Sequence, residues 1–189
     1  MKIQPATIHE QEVILSLEQT IFDDMALEIY DELTVENVQE ALSLAVSMSD
    51  ESRYHYSRAL VAKNDENQVL GVIFGYPDTE EKHLDRALQS ILADKFSYHR
   101  WMFPDSEVFD NEWYVDSIVV TSEARGQGIG KKLLAAAEKK AKESNRETIG
   151  LNVDDENTRA RMLYQNIGFK SVGRLTLGAH NYTHMQKVI

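Results

Sequence analysis

The segment from Ile118 to Lys132 constrains this chain more than any other stretch. The run Trp113–Val120 reads as a buried strand. Beyond it, Leu133, Leu134, Ala137 and Ala141 recur at helical spacing and predict a helix over 129–144. Between strand and helix lie Gly126, Gly128 and Gly130. Glycine adopts positive φ and has no Cβ to hold a ligand away from the backbone. The first turn of a helix leaves its N–H groups unpaired, and the macrodipole adds positive potential there. A turn of this kind makes an anion site, most naturally for phosphate. Arg125, Lys131 and Lys132 add formal charge. Two phosphate-binding patterns do not fit. A P-loop follows Gly-Lys with Ser or Thr, whereas Lys132 follows here, and the dinucleotide fingerprint is Gly-x-Gly-x-x-Gly rather than Gly-x-Gly-x-Gly.

The rest of the chain organises around that turn. Three prolines and nine glycines leave no linker, and there is no internal repeat, so 1–189 reads as a single domain. A strand over 2–8 leads to a helix over 10–30 whose apolar residues are Val13, Ile14, Leu17, Ile21 and Met25. Thr34 is placed to cap a second helix with Val38, Ala41, Leu42, Ala45 and Val46 on one face. Strands over 58–63 and 68–76 flank a polar turn at 64–67. Residues 78–100 return to helical periodicity, and 98–112 is irregular and dense in aromatics and acids. A strand over 148–153, a helix over 158–166 and a strand pair over 170–189 broken near Gly178 complete a mixed α/β fold around one sheet.

Charge excludes some classes of partner. The 189 residues carry 20 Lys and Arg against 31 Asp and Glu, a net −11. Residues 1–110 hold 8 basic and 22 acidic side chains, a net −14, whereas 111–189 hold 12 and 9, a net +3. Nucleic-acid binding needs clustered cations, so it is not expected. Without cysteine there is no disulfide, thiolate nucleophile or thiolate metal site. His180 and His184 share a strand face, but no further ligand completes a set, so no metal is expected. No apolar run reaches the ~18–20 residues of a membrane span, and the N-terminus has no signal-peptide core. The expected location is the cytoplasm.

Two blocks then carry a resemblance. Arg125-Gly126-Gln127-Gly128-Ile129-Gly130 is similar to the Arg/Gln-x-x-Gly-x-Gly/Ala signature of the GCN5-related N-acetyltransferase (GNAT) superfamily. Asn157-x-x-Ala160-Arg161-x-Leu163-Tyr164-x-x-x-Gly168-Phe169 matches a second block at the proper distance. The match covers 113–173, and 78–112 looks like an insertion. The resemblance implies a mixed, mostly antiparallel sheet with splayed parallel central strands, flanked by helices, and an acetyl-CoA co-substrate held in the splay. It implies that the backbone of Ile118, Val119 and Val120 pairs with the pantetheine amides. It further implies that Arg125, Gly126, Gln127, Gly128, Ile129, Gly130 and Lys131 cradle the pyrophosphate, that Asn157 reaches the pantetheine arm, and that Tyr164 sits near the sulfur.

Acetyl transfer to an amine needs a base for the ammonium and an acid for the departing thiolate. A phenol at about 10 can donate to a thiolate of about 8.5 without large tuning, which nominates Tyr164. Glu112 and Asp116 are the candidate bases, because alternation puts 112, 114, 116 and 118 on one face. Asp105, Glu107 and Asp110 read as ordinary loop charges. Aromatics and acids over 96–116 suit a primary amine, on a small molecule or a peptide. The same stretch could instead close a hydrophobic core or a homodimer interface. The rival to an N-acetyltransferase is a non-catalytic acyl-CoA-binding or protein-interaction module on the same fold.

Overall fold

Stretches rich in β-branched and aromatic residues become the middle of the sheet, where both faces are covered. In the computed structural model, which describes all of Met1–Ile189, seven strands form one sheet. They are β1 (Lys2–Pro5), β2 (Ala59–Lys63), β3 (Val69–Pro77), β4 (Trp113–Val120), β5 (Thr148–Asp154), β6 (Lys170–Leu177) and β7 (His180–Val188). Their order is β1-β2-β3-β4-β5-β7-β6. Every neighbouring pair is antiparallel except β4 and β5, so the sheet is mixed and mostly antiparallel, as expected.

Helices α1 (Gln11–Met25), α2 (Val35–Met48), α3 (Glu81–Leu84) and α4 (Arg86–Phe96) precede β4, and α5 (Ile129–Glu143) and α6 (Thr158–Asn166) follow it. Thr34 caps α2, its hydroxyl accepting the Asn37 N–H. One core gathers Phe22, Val38, Leu42 and Leu92 with Val61, Val72 and Phe74 of the sheet. A second, on the opposite face, gathers Leu133, Leu134 and Ala137 with Ile73, Val115 and Ile149. No helix is long and apolar enough to cross a membrane.

The helix expected to reach Tyr30 ends at Met25, where Ala26 turns left-handed at φ 49°. Asp23 and Asp24 occupy its last turn, and negative charge opposes the dipole at a helix C-terminus. The helix expected over 78–100 breaks at Asp85, whose φ and ψ are −102° and 3°. There the Asp85 carboxylate turns to meet Arg53, and Arg53 N–H donates to Leu84 O.

The central strand breaks its own alternation. Phe74 pairs with Ser117 and Gly75 with Val115, which leaves Asp116 as the extra residue of a β-bulge. Val115 and Ile118 consequently pack on the α5 side, although they are three residues apart. The expectation that 112, 114, 116 and 118 share one face therefore fails at Ile118.

The buried stripe of α1 also differs from the one expected. It consists of Ile14, Leu15, Glu18 and Phe22, while Val13 is exposed. Glu18 is fully buried, and neither of its carboxyl oxygens closes a hydrogen bond. Burial pushes its pKa up to about 8, with Ser117 opposing the rise and Asp116 adding to it. The folded chain thus keeps this proton up to about pH 8, whereas the unfolded chain releases it near 4.5. The folded state loses stability from this group as pH rises between those values. Glu18→Gln removes the effect. In urea unfolding the variant is expected to be more stable than wild type at pH 8, by up to about 4 kcal/mol, with the difference vanishing towards pH 4.5.

Candidate active site

A cleft opens where the two parallel strands part. β4 and β5 pair from Trp113 and Ile149 to Val115 and Leu151, and no further. The bulge falls on the next residue, Asp116, and a bulge bends its strand. The resulting space is lined by Asp116, Ser117 and Ile118 from β4, Asn152–Asp154 from β5, and Asn157, Ala160 and Tyr164 from α6 and its cap. The Asp116 side chain is only 3% exposed, yet the residue as a whole is half-buried. Its open surface is therefore main chain. Unpaired strand edges of this kind accept an extended ligand as an added strand.

At one end the cleft runs into the glycine turn, sharing Asn157 and Ala160 with it. Gly126 and Gly128 have φ of 79° and 75°, and a Cβ at either would meet no neighbour, so positive φ and not crowding is what calls for glycine. The N–H groups of Gly126, Gln127 and Gly128 donate to no main-chain oxygen. The start of α6 faces the start of α5 across this space, so two helix N-termini converge. Arg125, Lys131 and Arg159 line it, and no acid does. This is a preformed anion site.

At the other end lies a buried ionic cluster. The Arg53 guanidinium, with a side chain 4% exposed, meets three carboxylates. Its Nε and Nη2 donate to Asp85 at 3.0 and 2.8 Å. Its Nη1 donates to Glu107 at 3.0 Å, to Asp116 at 2.6 Å and to the Tyr76 hydroxyl at 2.9 Å. Glu107 also accepts the Tyr114 hydroxyl at 2.9 Å. One cation cannot neutralise three buried anions. Burial pushes Glu107 up to about 7, with Arg53 pulling it down and Asp116 pushing it up again. Burial raises Asp116 as well, against the pull of Arg53.

The residues singled out in the sequence are distributed unevenly over this geometry. Asp116, Ile118, Asn157 and Tyr164 line the cleft; Val120, Arg125, Gly126, Gly128, Ile129, Gly130 and Lys131 line the anion site. Val119 packs into the α1–α2 core, and the Gln127 amide turns to the Glu123 carbonyl. Asn157 Oδ1 already accepts the Ala160 N–H as the cap of α6, which leaves only its NH₂ for a ligand. Burial pushes Tyr164 up to about 12. Glu112 lies outside the cleft. It is fully buried and accepts from Phe109 N–H and Gln186, with the His184 ring at 2.9 Å. An added Cβ at Gly150 would collide with its carboxylate. The structure assigns Glu112 to a packed polar cluster.

Three side chains at the cleft and its two ends went unread in the sequence. Glu107 is buried at the cleft, not a solvated loop charge. Arg53 comes from a loop that no motif marks. Arg159 was readable in principle, since it sits in the first turn of the helix that Asn157 caps.

The comparisons with known proteins agree with this geometry. Residues 23–169 match the Acetyltransferase (GNAT) family. A solved structure described as an acetyltransferase is 37% identical, with all of both chains covered and a TM-score of 0.86. An N-acetyltransferase from Staphylococcus aureus Mu50 is 28% identical over 98% of this chain and 100% of that one, with a TM-score of 0.87. A third relative, "Putative acetyltransferase YjbC" of Bacillus subtilis (strain 168), is 38% identical over 78 residues, and the match spans 41% of this chain and 39% of that protein. With the family matched over most of its length and the whole fold shared, this chain belongs to the GNAT family of acetyltransferases.

Proposed function

We propose that the chain transfers an acetyl group from acetyl-CoA directly to a primary amine. The observation that carries this reading is the parting of β4 and β5 beyond Val115 and Leu151, with an anion site at one end and an ionisable carboxylate at the other. The phosphates of CoA lie at Arg125, Lys131, Arg159 and the free N–H groups of the glycine turn. The pantetheine arm runs along the open edge of β4 past Asn157. The thioester then falls between Tyr164 and Asp116.

Glu107 is the base. It lines the cleft and is held close to neutrality, where a carboxylate accepts a proton from an ammonium most effectively at physiological pH. Burial sets the basicity of Glu107, and the charge of Asp116, bonded to Tyr76, adds to it. The ammonium first gives one proton to Glu107, which passes it to solvent. The neutral amine then forms the C–N bond, and its second proton passes to Glu107. A β4 main-chain N–H at the bulge steadies the oxyanion. The C–S bond breaks, the thiolate takes a proton from Tyr164, and the phenolate recovers one from solvent. From about 12 to a thiol of about 8.5, that last transfer is uphill by about 5 kcal/mol. The same dry wall raises the thiol too, which closes part of the gap.

Three outcomes test the proposal. Glu107→Gln is expected to lower kcat about 10²–10⁴-fold while leaving CoA affinity unchanged by calorimetry; full turnover would remove Glu107 as base. Asp116→Asn removes the charge that raises Glu107, so the acidic limb of kcat/KM moves to lower pH. At the other end, Lys131→Ala and Arg159→Ala are each expected to weaken CoA binding by about five- to tenfold, an effect that shrinks as salt is added.

A further inference from the structure

Beside the cleft lies a second cavity. It is walled by the end of α1, the loop 98–107 and the turn between β6 and β7. The two spaces share Met25, Glu107 and Leu177, so the cavity is a side chamber of the cleft that opens at the proposed base. Its walls are apolar and aromatic. Tyr98, Phe103 and Leu177 are buried, and Trp101 stands at the rim with 47% of its surface exposed. The loop that carries these side chains is fastened down. Asp105 accepts the Gly178 N–H at 3.1 Å, Ser106 donates to Glu81 at 2.6 Å, and the Glu107 N–H donates to Glu81 at 2.7 Å. The chamber is thus preformed, and little ordering cost is left for a ligand to meet.

The charges at the chamber are of one sign. Glu28, Asp105 and Glu107 are its ionisable lining residues, and no cation lines it. Glu28 is already paired with Arg100. One oxygen of Asp105 accepts the Gly178 N–H, and the residue is exposed to solvent. Glu107, at the junction, is the buried acid of the three and the one that faces an incoming cation. One positive charge at the mouth and an apolar body within therefore complement the chamber. A polyamine or an aminoglycoside would put a second charge or several hydroxyls against Tyr98, Phe103 and Leu177, where they would lose water without gaining partners.

From this geometry we infer that the acceptor is a small primary amine carrying one compact apolar or aryl body a few bonds from its nitrogen, with the body seated in the chamber against Trp101. The inference rests on the acetyl-transfer reading and adds the acceptor class to it. Burial of a phenyl-sized body favours such an amine by about 10- to 100-fold over a short alkylamine.

The test compares 2-phenylethylamine, 1,4-diaminobutane and ethylamine as acceptors, following thiol release from acetyl-CoA and amide formation by mass spectrometry. Trp101 is exposed, so Trp101→Ala keeps the fold. The expected result is the highest kcat/KM for 2-phenylethylamine. In Trp101→Ala, its KM rises about tenfold with kcat nearly unchanged, and the constants for ethylamine do not move. Acetylation of 1,4-diaminobutane as well as or better than 2-phenylethylamine, indifferent to Trp101→Ala, would overturn the acceptor class while leaving acetyl transfer in place. Binding of acetyl-CoA without acetylation of any of the three amines, at any pH from 6 to 9, would overturn the transfer reading and the acceptor class with it.

Discussion

A single buried guanidinium organises the functional half of this molecule. Arg53 reaches Asp85, Glu107 and Asp116 at once, with Tyr76 beside them and the Phe103 ring 4.8 Å from its charge. Those partners come from three places: the helical segment after β3, the loop before β4, and β4 itself. Removing the guanidinium would leave its carboxylates buried and uncompensated, a cost of several kcal/mol. The cluster therefore pins the aromatic loop over the sheet. Burial, with Asp116 adding its charge and Arg53 opposing both, explains why Glu107 holds a proton near neutral pH.

The second constraint is the bulge at Asp116. It ends the pairing of β4 with β5, directs main chain into the gap, and switches which side of the sheet each later residue faces. Cleft and cluster are therefore two consequences of one inserted residue. Its side chain joins Arg53 while its backbone borders the cleft.

Much of this was legible in the chain itself. The strand over Trp113–Val120, the helix over Thr158–Asn166 and the capped α2 fall where periodicity and capping place them, because those elements depend on local pattern. The glycine turn was readable because positive φ and free N–H groups are properties of a few consecutive residues. The buried carboxylate at the cleft was not. Glu107 is held there through Arg53, which lies 54 positions away, and nothing in the spacing of either announces the other. The position of the bulge was invisible for a related reason. Strict alternation is the only rule a lone strand offers, and the partner strand decides where it fails. In α1 helical spacing of apolar residues placed the buried stripe wrongly, because a carboxyl group, Glu18, occupies a core position. The uneven charge acquires a partial explanation as well: the basic C-terminal part forms the anion site, and part of the acidic excess surrounds Arg53.

The central claim is that burial beside Asp116, against the pull of Arg53, keeps the Glu107 carboxyl near half-protonation at neutral pH, facing the cleft. Carbon-13 NMR of the side-chain carboxyls, titrated from pH 3 to 9 on the unliganded protein, measures this directly. The account predicts a Glu107 resonance with a midpoint near 7, well separated from the exposed acids. A Glu107 carboxyl that titrates with the ordinary glutamates, near 4.5, would contradict it.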